Sequence, residues 1–413
     1  LKYMNKLAED EGFKVENFDN YASHVEYGKQ KNFIGGIGHL DVVPAGINWD
    51  NPPYGAVTVD GKLYARGAED DKGPTMAFFY AMKILKEMDL KLSKRIKLVL
   101  STDEESGWRD MDYYMAKNPE TPFAAFIPDA NFPVIYAEKG IANIRLCAKN
   151  EIPFVKSIYG GNRSNMVPDK ATVTFAHEVP LSSAYIEKTL NKFLKDNSLV
   201  GAYDKEKDTV TIEGVSAHGS TPEKGINAVT KLFEFLSTFY IKNSTIDVIN
   251  NYFLNDCLGK KIGYDYHDNE MGDLTSNLGV IKYENNEVSL ELNIRYPKGT
   301  TAEGICDTIN NVLGSSGFKA SIVLDNKLKY VDPNGKLIKL LVGVYRKYSN
   351  DLESQPIVTG GGTFARLWEN SVAFGPNFPG KESNIHNKNE CIEIEDLIKT
   401  IAIYAESLYL LAK

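Results

Sequence analysis

The segment Asn32–Val43 reads Asn-Phe-Ile-Gly-Gly-Ile-Gly-His-Leu-Asp-Val-Val and gives the clearest indication of the fold. Its first half is apolar and rich in glycine, as in a fully buried strand, and its second half carries a histidine and an aspartate. The same pattern returns at Arg95–Leu100, where an apolar strand continues directly into Ser-Thr-Asp-Glu-Glu. Because open α/β sheets keep their functional residues at the carboxyl ends of strands, the two segments together predict a site at one edge of a sheet.

The rest of the chain extends this pattern and then interrupts it. A strand is predicted at Ala124–Ile127, and apolar residues at helical spacing predict a helix at Thr75–Met88. Farther on, strands with alternating faces are mixed with helices, and the α/β pattern returns near the end. We therefore predict an α/β domain, a mixed sheet flanked by helices, that is interrupted by an α+β domain; the predicted boundaries are 1–140, 141–328 and 329–413.

Composition excludes several classes of protein. The 413 residues include 47 basic and 55 acidic side chains, a net charge of −8, which argues against a protein that binds nucleic acid. No apolar run approaches the roughly 20 residues of a membrane helix, and the opening dodecapeptide has the pattern of an amphipathic helix instead of a signal peptide. The four cysteines are scattered, without the paired spacing of a metal site. We expect a soluble cytoplasmic protein with free thiols.

Five clusters of histidine and acidic residues follow predicted strands in the α/β part. Imidazole and carboxylate groups are the ligands of zinc and manganese, and five such groups suffice for two ions that share a bridging ligand. Two ions about 3.5–4 Å apart can hold both a hydrolytic water and the carbonyl of the bond to be cleaved. The clusters are Gly38–Asp41, Arg66–Gly73, Thr102–Gly107, Pro128–Asn131 and Asn384–Asn387.

At these clusters the chain resembles the di-metal co-catalytic metallopeptidases, the family that includes carboxypeptidase G, aminoacylase and succinyl-diaminopimelate desuccinylase. The resemblance runs through nearly the whole chain and meets all five clusters in order. Within the family it is most similar to the bacterial PepV-type dipeptidases. That narrower match is carried by Gly38–Gly46, Asp103–Trp108, Phe132–Gly140 and Gly360–Arg366. The resemblance implies a zinc-peptidase-like catalytic domain interrupted by an α+β lid domain.

The resemblance also implies a ligand set for two divalent metal ions per subunit, Zn²⁺ or Mn²⁺. His39 and Asp129 are expected to bind one ion, and Glu105 and His386 the other. Asp70 is expected to bridge the two ions and to be joined to Asp71 by a cis peptide bond.

Two further residues of these clusters are expected to serve catalysis without binding metal. Glu104 is adjacent to a ligand and is the expected general base, which takes a proton from the attacking water. Asp41 lies two residues after His39 and is expected to accept the other ring proton of that histidine.

The inserted domain contributes the remaining expected residues. By resemblance, His218 in Gly214–Ser220 donates a hydrogen bond to the developing oxyanion. Asn165 and Arg295 hold the terminal carboxylate of the substrate, for which a planar guanidinium is well suited. In the α/β part, Gly360 and Gly361 let the backbone approach the substrate closely.

The length of the insert bears on the number of subunits. Shorter relatives are expected to borrow the lid histidine from a partner subunit, which makes their dimer obligatory for activity. An insert from 141 to 328 resembles the PepV type, in which two half-lids in one chain replace the dimer contact. We therefore expect an active monomer.

These residues predict a metal-dependent dipeptidase that acts on unblocked dipeptides. Two alternatives keep the same chemistry and change the substrate, to an N-acyl amino acid or to a longer peptide trimmed from its carboxyl end. The metal site does not separate these substrates, because each offers an amide next to a free carboxylate. A third alternative is a binding protein without activity that closes on a peptide, and the intact Glu104 argues against it.

Overall fold

The computed structural model describes residues 1–176 and 181–413. The chain folds into two compact units, each with its own hydrophobic core. The first unit combines Leu1–Glu138 with Lys329–Lys413, and the second is the continuous segment Lys139–Leu328. Along the sequence, the second unit is therefore an insertion in the first.

A mixed sheet forms the centre of the first unit. Phe33–His39 runs parallel to both of its neighbours, and antiparallel strands complete the sheet at its two ends. The carboxyl ends of the parallel strands therefore meet at one edge. Among the described residues the strand order is Lys14–Phe18, Ala22–Tyr27, Arg95–Ser101, Phe33–His39, Ala124–Ile127, Ser371–Ala373, Ile135–Glu138 and Lys329–Tyr330, with Ile357–Thr359 also paired to Ile135–Glu138.

Helices and two small sheets surround this central sheet. The α-helices are Lys2–Asp10, Lys72–Glu87, Arg109–Lys117, Lys336–Ser349 and Ile394–Ala412, and a 3₁₀ turn covers Phe364–Leu367. One small sheet joins Val57–Val59, Lys62–Tyr64 and Cys391–Glu393, and the other pairs Ala130–Asn131 with Pro376–Asn377.

Glycine in the central strand lets a helix approach the sheet closely. A β-carbon on Gly36 would lie 2.4 Å from the Phe78 ring, and one on Gly38 would lie 2.0 Å from Thr75 Oγ1. Larger residues at these two positions would push the helix Lys72–Glu87 away from the strand. The glycines therefore bring the amino-terminal end of that helix next to the carboxyl end of the strand, where His39 lies.

The same helix begins earlier than the sequence pattern predicts. It starts at Lys72 rather than at Thr75, with Asp71 as the residue before its first turn. Pro74 falls inside that first turn, where its missing backbone N–H removes no hydrogen bond of the helix.

The second unit is built on an antiparallel sheet with helices packed on it. Every strand pair of the main sheet is antiparallel among the described residues. The strand order is Val200–Asp204, Thr209–Glu213, Lys170–Phe175, Val155–Gly160, Thr275–Glu284, Glu287–Tyr296, Gly140–Lys149 and Lys319–Asn326. A separate short pair joins His267–Asp268 and Gly272–Asp273.

Alternating burial along these strands explains where the helices lie. In Gly140–Lys149 buried residues alternate with more exposed ones, so one face of the sheet is apolar and is covered. The helix Ala228–Ser237 begins where Asn227 accepts hydrogen bonds from the backbone N–H groups of Val229 and Thr230. The other helices are Ser183–Asn197, Ser244–Val248 and Ala302–Leu313, with a π-helical turn at Ile249–Phe253 and 3₁₀ turns at Pro222–Lys224 and Gly314–Ser316.

In the described part of the chain, every helix is too short or too polar to cross a bilayer. All four cysteines lie in that part and are free thiols.

Candidate metal and substrate site

The acidic and histidine clusters of the first unit meet at one edge of its central sheet. His39 is the last residue of its strand, and Glu104 and Glu105 follow the neighbouring strand after a short turn. Asp129 follows the strand on the other side. The parallel pairing of these strands brings residues that are far apart in sequence to the same place.

Asp70 lies between the two histidines of the cluster. Its Oδ1 is 2.9 Å from His39 Nε2, and its Oδ2 is 3.0 Å from His386 Nε2. Each carboxylate oxygen thus faces a different imidazole. His386 reaches this position with a backbone φ of +61°, in the left-handed region that few non-glycine residues adopt.

Each histidine also faces one further carboxylate. His386 Nε2 is 3.2 Å from Glu105 Oε1, and His39 Nε2 is 3.9 Å from Asp129 Oδ2. Among the described residues, ligand atoms of His39, Asp70 and Glu105 lie within 4.8 Å of one another and can hold a metal ion. The structure therefore brings together all five residues predicted as metal ligands.

The electrostatics of this cluster fit divalent cations. Burial, together with the neighbouring Asp129 carboxylate, raises the pKa of Glu104 well above its usual range. Burial and the charge of Asp70 raise the pKa of Asp129 to about 7. Buried carboxylates repel one another unless cations lie among them, and imidazole with carboxylate oxygen is a donor set that zinc and manganese accept. The residues present thus fit two divalent ions.

Asp41 lies beside His39, as predicted, but its carboxylate is not the group closest to the histidine ring. The nearest acceptor for His39 Nδ1 is the backbone carbonyl oxygen of Asp41, at 3.0 Å, and the Asp41 carboxylate is 3.5 Å away. That carboxylate accepts the backbone N–H groups of Glu104, at 3.2 Å, and of Glu105, at 3.1 Å. Asp41 therefore fixes the turn that carries both glutamates.

Glu390 is a residue of this site that the sequence analysis missed. It is fully buried, and its Oε1 accepts the backbone N–H groups of Gly67, Glu69 and Asp70 at 2.9–3.1 Å. Its Oε2 lies 2.5 Å from Arg66 Nη1. The loop that presents Asp70 is thereby held from the far end of the sequence. The only feature of the sequence that could have indicated Glu390 is that it is an acidic residue four positions after His386.

The peptide bond between Asp70 and Asp71 is cis, as the resemblance implies. Asp71 is fully buried. It accepts the backbone N–H of His39 at 3.1 Å and the hydroxyl of Thr75 at 2.9 Å. Asp71 therefore ties the end of the central strand to the start of the helix Lys72–Glu87.

The second unit brings its own predicted residues together. The backbone N–H of Gly219 donates to the carbonyl oxygen of Asn165 at 2.7 Å, and Met166 forms a β-bridge with His218. Arg295 is buried, and its Nε donates to Asn293 Oδ1 at 2.9 Å. That Asn293 oxygen would lie 2.7 Å from a β-carbon on Gly219, so the loops of Asn165 and His218 and the side chain of Arg295 form one cluster.

The hydrogen bonds of His218 favour one tautomer of its ring. The backbone N–H of Ser220 donates to His218 Nδ1 at 3.3 Å, and the Ser220 hydroxyl lies 2.6 Å from the same nitrogen. Because a backbone N–H can only donate, the Ser220 N–H contact requires Nδ1 to accept, which favours the neutral ring with its proton on Nε2. His218 can therefore donate a hydrogen bond from Nε2.

The glycine loop follows the strand Ile357–Thr359 of the first unit. The backbone N–H of Gly361 donates to Thr359 Oγ1 at 3.0 Å. A β-carbon on Gly361 would meet that oxygen at 3.3 Å and, among the described residues other than its two chain neighbours, no further atom within 4 Å, so space remains beside the loop backbone.

Comparison with known proteins decides the family. The model of the family described as "Peptidase family M20/M25/M40" matches residues 37–409, which is most of the chain. The chain belongs to this family. It is therefore a peptidase, and peptidases of this family depend on metal ions, in agreement with the donor set assembled around Asp70. The family predicted from the sequence clusters is confirmed.

Two curated relatives match along the whole chain. The protein named "Putative dipeptidase YtjP" of Bacillus subtilis (strain 168) is 38% identical over 428 residues, covering 100% of this chain and 90% of that protein. A protein of Staphylococcus epidermidis (strain ATCC 12228 / FDA PCI 1200), named "Putative dipeptidase", is 37% identical over 425 residues with the same coverage.

Two solved structures have a similar fold. Human carnosine dipeptidase 1 has a TM-score of 0.59 at 16% identity, covering 99% of this chain and 88% of that one. An M20 family metallo-carboxypeptidase from Sulfolobus solfataricus has a TM-score of 0.59 at 19% identity, covering 99% of this chain and 93% of the other. These likenesses confirm the predicted fold class.

Proposed function

We propose that this peptidase is a metal-dependent dipeptidase that hydrolyses unblocked dipeptides. The observation that carries the proposal is the position of Asp70, whose two carboxylate oxygens each face a different histidine. One carboxylate placed in this way can serve two cations at once. The names of the Bacillus and Staphylococcus relatives support a dipeptide as the substrate.

The ligand assignment follows the contacts within the cluster. His39 and Asp129 would hold one ion, Glu105 and His386 the other, and Asp70 would bridge them; zinc and manganese both suit these donors. When bound, such ions polarise a carbonyl oxygen and lower the pKa of water.

Glu104 is the proposed general base. It is adjacent to the ligand Glu105, and its turn is fixed by the Asp41 carboxylate. In this role it takes a proton from the attacking water and then delivers it to the nitrogen of the leaving amine. His218, with its proton on Nε2, donates a hydrogen bond to the oxyanion that develops on the carbonyl oxygen.

The terminal carboxylate of the dipeptide is the proposed partner of Arg295 and Asn165. A free carboxylate forms charge-assisted hydrogen bonds with a guanidinium, whereas a carboxamide does not. Gly360 and Gly361 supply backbone groups along the substrate. The remaining parts of the proposal are an active monomer and a cytoplasmic location, with no nucleic acid or membrane partner.

A panel of substrates tests the proposal. We expect the protein loaded with Zn²⁺ or Mn²⁺ to cleave unblocked dipeptides faster than N-acyl amino acids or tripeptides. Faster cleavage of acyl amino acids would favour the deacylase alternative, and faster release of carboxyl-terminal residues from longer peptides would favour a carboxypeptidase. Binding of dipeptides without any hydrolysis would favour the inactive binding protein.

Arg295→Ala is expected to raise KM for dipeptides with a free carboxylate and to remove the preference over carboxyl-terminal amides. Loss of a charge-assisted contact costs about 1.5–3 kcal/mol, which corresponds to roughly 10- to 150-fold. The measurement is kcat/KM on matched acid and amide dipeptides. Arg145→Ala is the control, because Arg145 is an exposed arginine of the same unit, paired with Glu291. Equal losses on acid and amide would contradict the assignment of Arg295.

His218→Ala is expected to keep both ions and to lower kcat by about 10²–10³-fold, the usual cost of removing one oxyanion donor. The measurements are kcat and metal content. Mixing His218→Ala with Glu104→Ala protein should restore no activity, since one chain supplies both groups in the monomer that we propose. Recovered activity in the mixture would show that the histidine acts on a neighbouring subunit.

A further inference from the structure

We propose that Glu138 is a positioning residue that fixes the shape of the loop Gly360–Gly362 and thereby sets the affinity for substrate. The inference rests on the proposed function in one respect, namely that this loop lines the substrate. Glu138 is the last residue of the strand Ile135–Glu138, which runs parallel to the strand Ile357–Thr359 that leads into the loop.

The Glu138 carboxylate makes three contacts just after the glycines. It is almost completely buried, with 1% of its surface exposed. Its Oε1 accepts the hydroxyl of Thr363 at 2.6 Å, and its Oε2 accepts the backbone N–H of the same residue at 3.2 Å. Arg366 Nε lies 2.8 Å from Oε2. The carboxylate thus fixes both the backbone and the side chain at the carboxyl end of the loop.

Arg366 connects the Glu138 carboxylate to the glycines of the loop. Its Nη2 donates to the carbonyl oxygen of Gly361 at 3.1 Å, while Gly361 N–H donates to Thr359 Oγ1 at 3.0 Å. Both backbone polar groups of Gly361 are therefore engaged. A continuous path of contacts runs from Glu138 through Arg366 to the middle of the loop.

The sequence of the loop explains why contacts from Glu138 and Arg366 are needed to fix its conformation. Three consecutive glycines have more backbone freedom than any other tripeptide, and fixing them costs more conformational entropy. A buried ion pair is also a costly way to stabilise a fold, because apolar residues of similar volume often do as well or better. A carboxylate at this position, with its partners directly after the loop, is accounted for by the geometry that it imposes on that loop.

Glu138→Gln tests the inference. The amide keeps the size of the side chain and one acceptor, but it removes the negative charge beside Arg366. We expect KM for dipeptides to rise about 10- to 100-fold, in line with loss of hydrogen bonds to a charged group, with kcat and metal content close to those of the wild type. Amide hydrogen exchange at Thr363–Ala365 should be faster than in the wild type.

Glu26→Gln is the matched control. Glu26 is another buried glutamate of the same sheet, paired with Arg95, and its strand Ala22–Tyr27 lies near the opposite end of the strand order. Its replacement is expected to lower thermal stability while leaving KM and the amide exchange at Thr363–Ala365 unchanged. Thr363→Val is a second variant that removes the hydroxyl bond to Glu138 together with the bond that the Ala365 N–H donates to that hydroxyl, while the backbone N–H of residue 363 can still donate to Glu138, and a smaller rise in KM is expected.

Two results would overturn the inference. One is an unchanged KM in both Glu138→Gln and Thr363→Val; the other is amide exchange at Thr363–Ala365 that in Glu138→Gln increases no more than in Glu26→Gln. The exchange measurement needs no activity. If the wild type cleaves no dipeptide, the proposed function fails, and hydrogen exchange still decides whether Glu138 fixes the loop.

Discussion

Asp70→Ala is expected to bind neither metal ion and to show no measurable hydrolysis. The two oxygens of Asp70 face His39 and His386 separately, at 2.9 and 3.0 Å, so one substitution removes a ligand from each proposed ion position. It also removes the negative charge between two cations, which would then repel each other directly. Metal content by mass spectrometry and hydrolysis with added Zn²⁺ or Mn²⁺ provide the measurement.

Two neighbouring substitutions supply the control for Asp70. Asp129→Ala and His386→Ala each remove a ligand from one position only, so each is expected to keep about one ion per chain. Full occupancy by two ions in Asp70→Ala would contradict the bridging role. Retention of one ion in Asp70→Ala, at the level of Asp129→Ala, would assign Asp70 to a single position.

The sequence predicts the centre of this site well because its residues are tied to strand ends. A histidine or acidic residue directly after an apolar run has to emerge at the edge of the sheet, and parallel pairing brings those edges together. His39, Glu105 and Asp129 are located by this rule. Packing explains the glycines that precede His39, because Gly36 and Gly38 leave room for the side chains of Phe78 and Thr75.

The residues that hold the site in place were not predictable in the same way. Glu390 acts on the backbone of the loop that presents Asp70, and Glu138 acts on the backbone of Thr363. Nearly every residue type has a backbone N–H group. A carboxylate that binds such a group therefore requires no particular side chain in its partner, and the sequence shows no pair of residues that would reveal the contact. Both are also separated from the segments they hold by more than 200 residues.

The contacts of Asp41 show a second limit of sequence reasoning. Its place beside His39 follows from a spacing of two residues. Which of its oxygens faces the ring depends on the turn, and here the backbone carbonyl is the nearer acceptor. The carboxylate is turned toward the N–H groups of Glu104 and Glu105, so a residue predicted to orient the histidine also orients the proposed base.

Glu104→Ala is the sharpest test of the chemistry, because it is expected to separate metal binding from turnover. The five proposed ligands are unchanged in this variant, and the Asp41 carboxylate still accepts the backbone N–H of residue 104. Both ions are therefore expected to remain. Loss of general-base catalysis lowers kcat by about 10²–10⁴-fold, while KM changes little if the side chain acts only on the attacking water.

The adjacent Asp103 provides the matched control for Glu104. Its carboxylate accepts hydrogen bonds from the Ser106 hydroxyl at 2.7 Å and from Arg109 Nε at 2.8 Å, and it is not among the proposed ligands. Asp103→Asn is expected to keep near wild-type kcat, which excludes a general effect of removing a carboxylate from this segment. A Glu104→Ala protein that holds two ions and turns over like Asp103→Asn would remove Glu104 from the mechanism. A Glu104→Ala protein that loses an ion would instead make Glu104 a ligand.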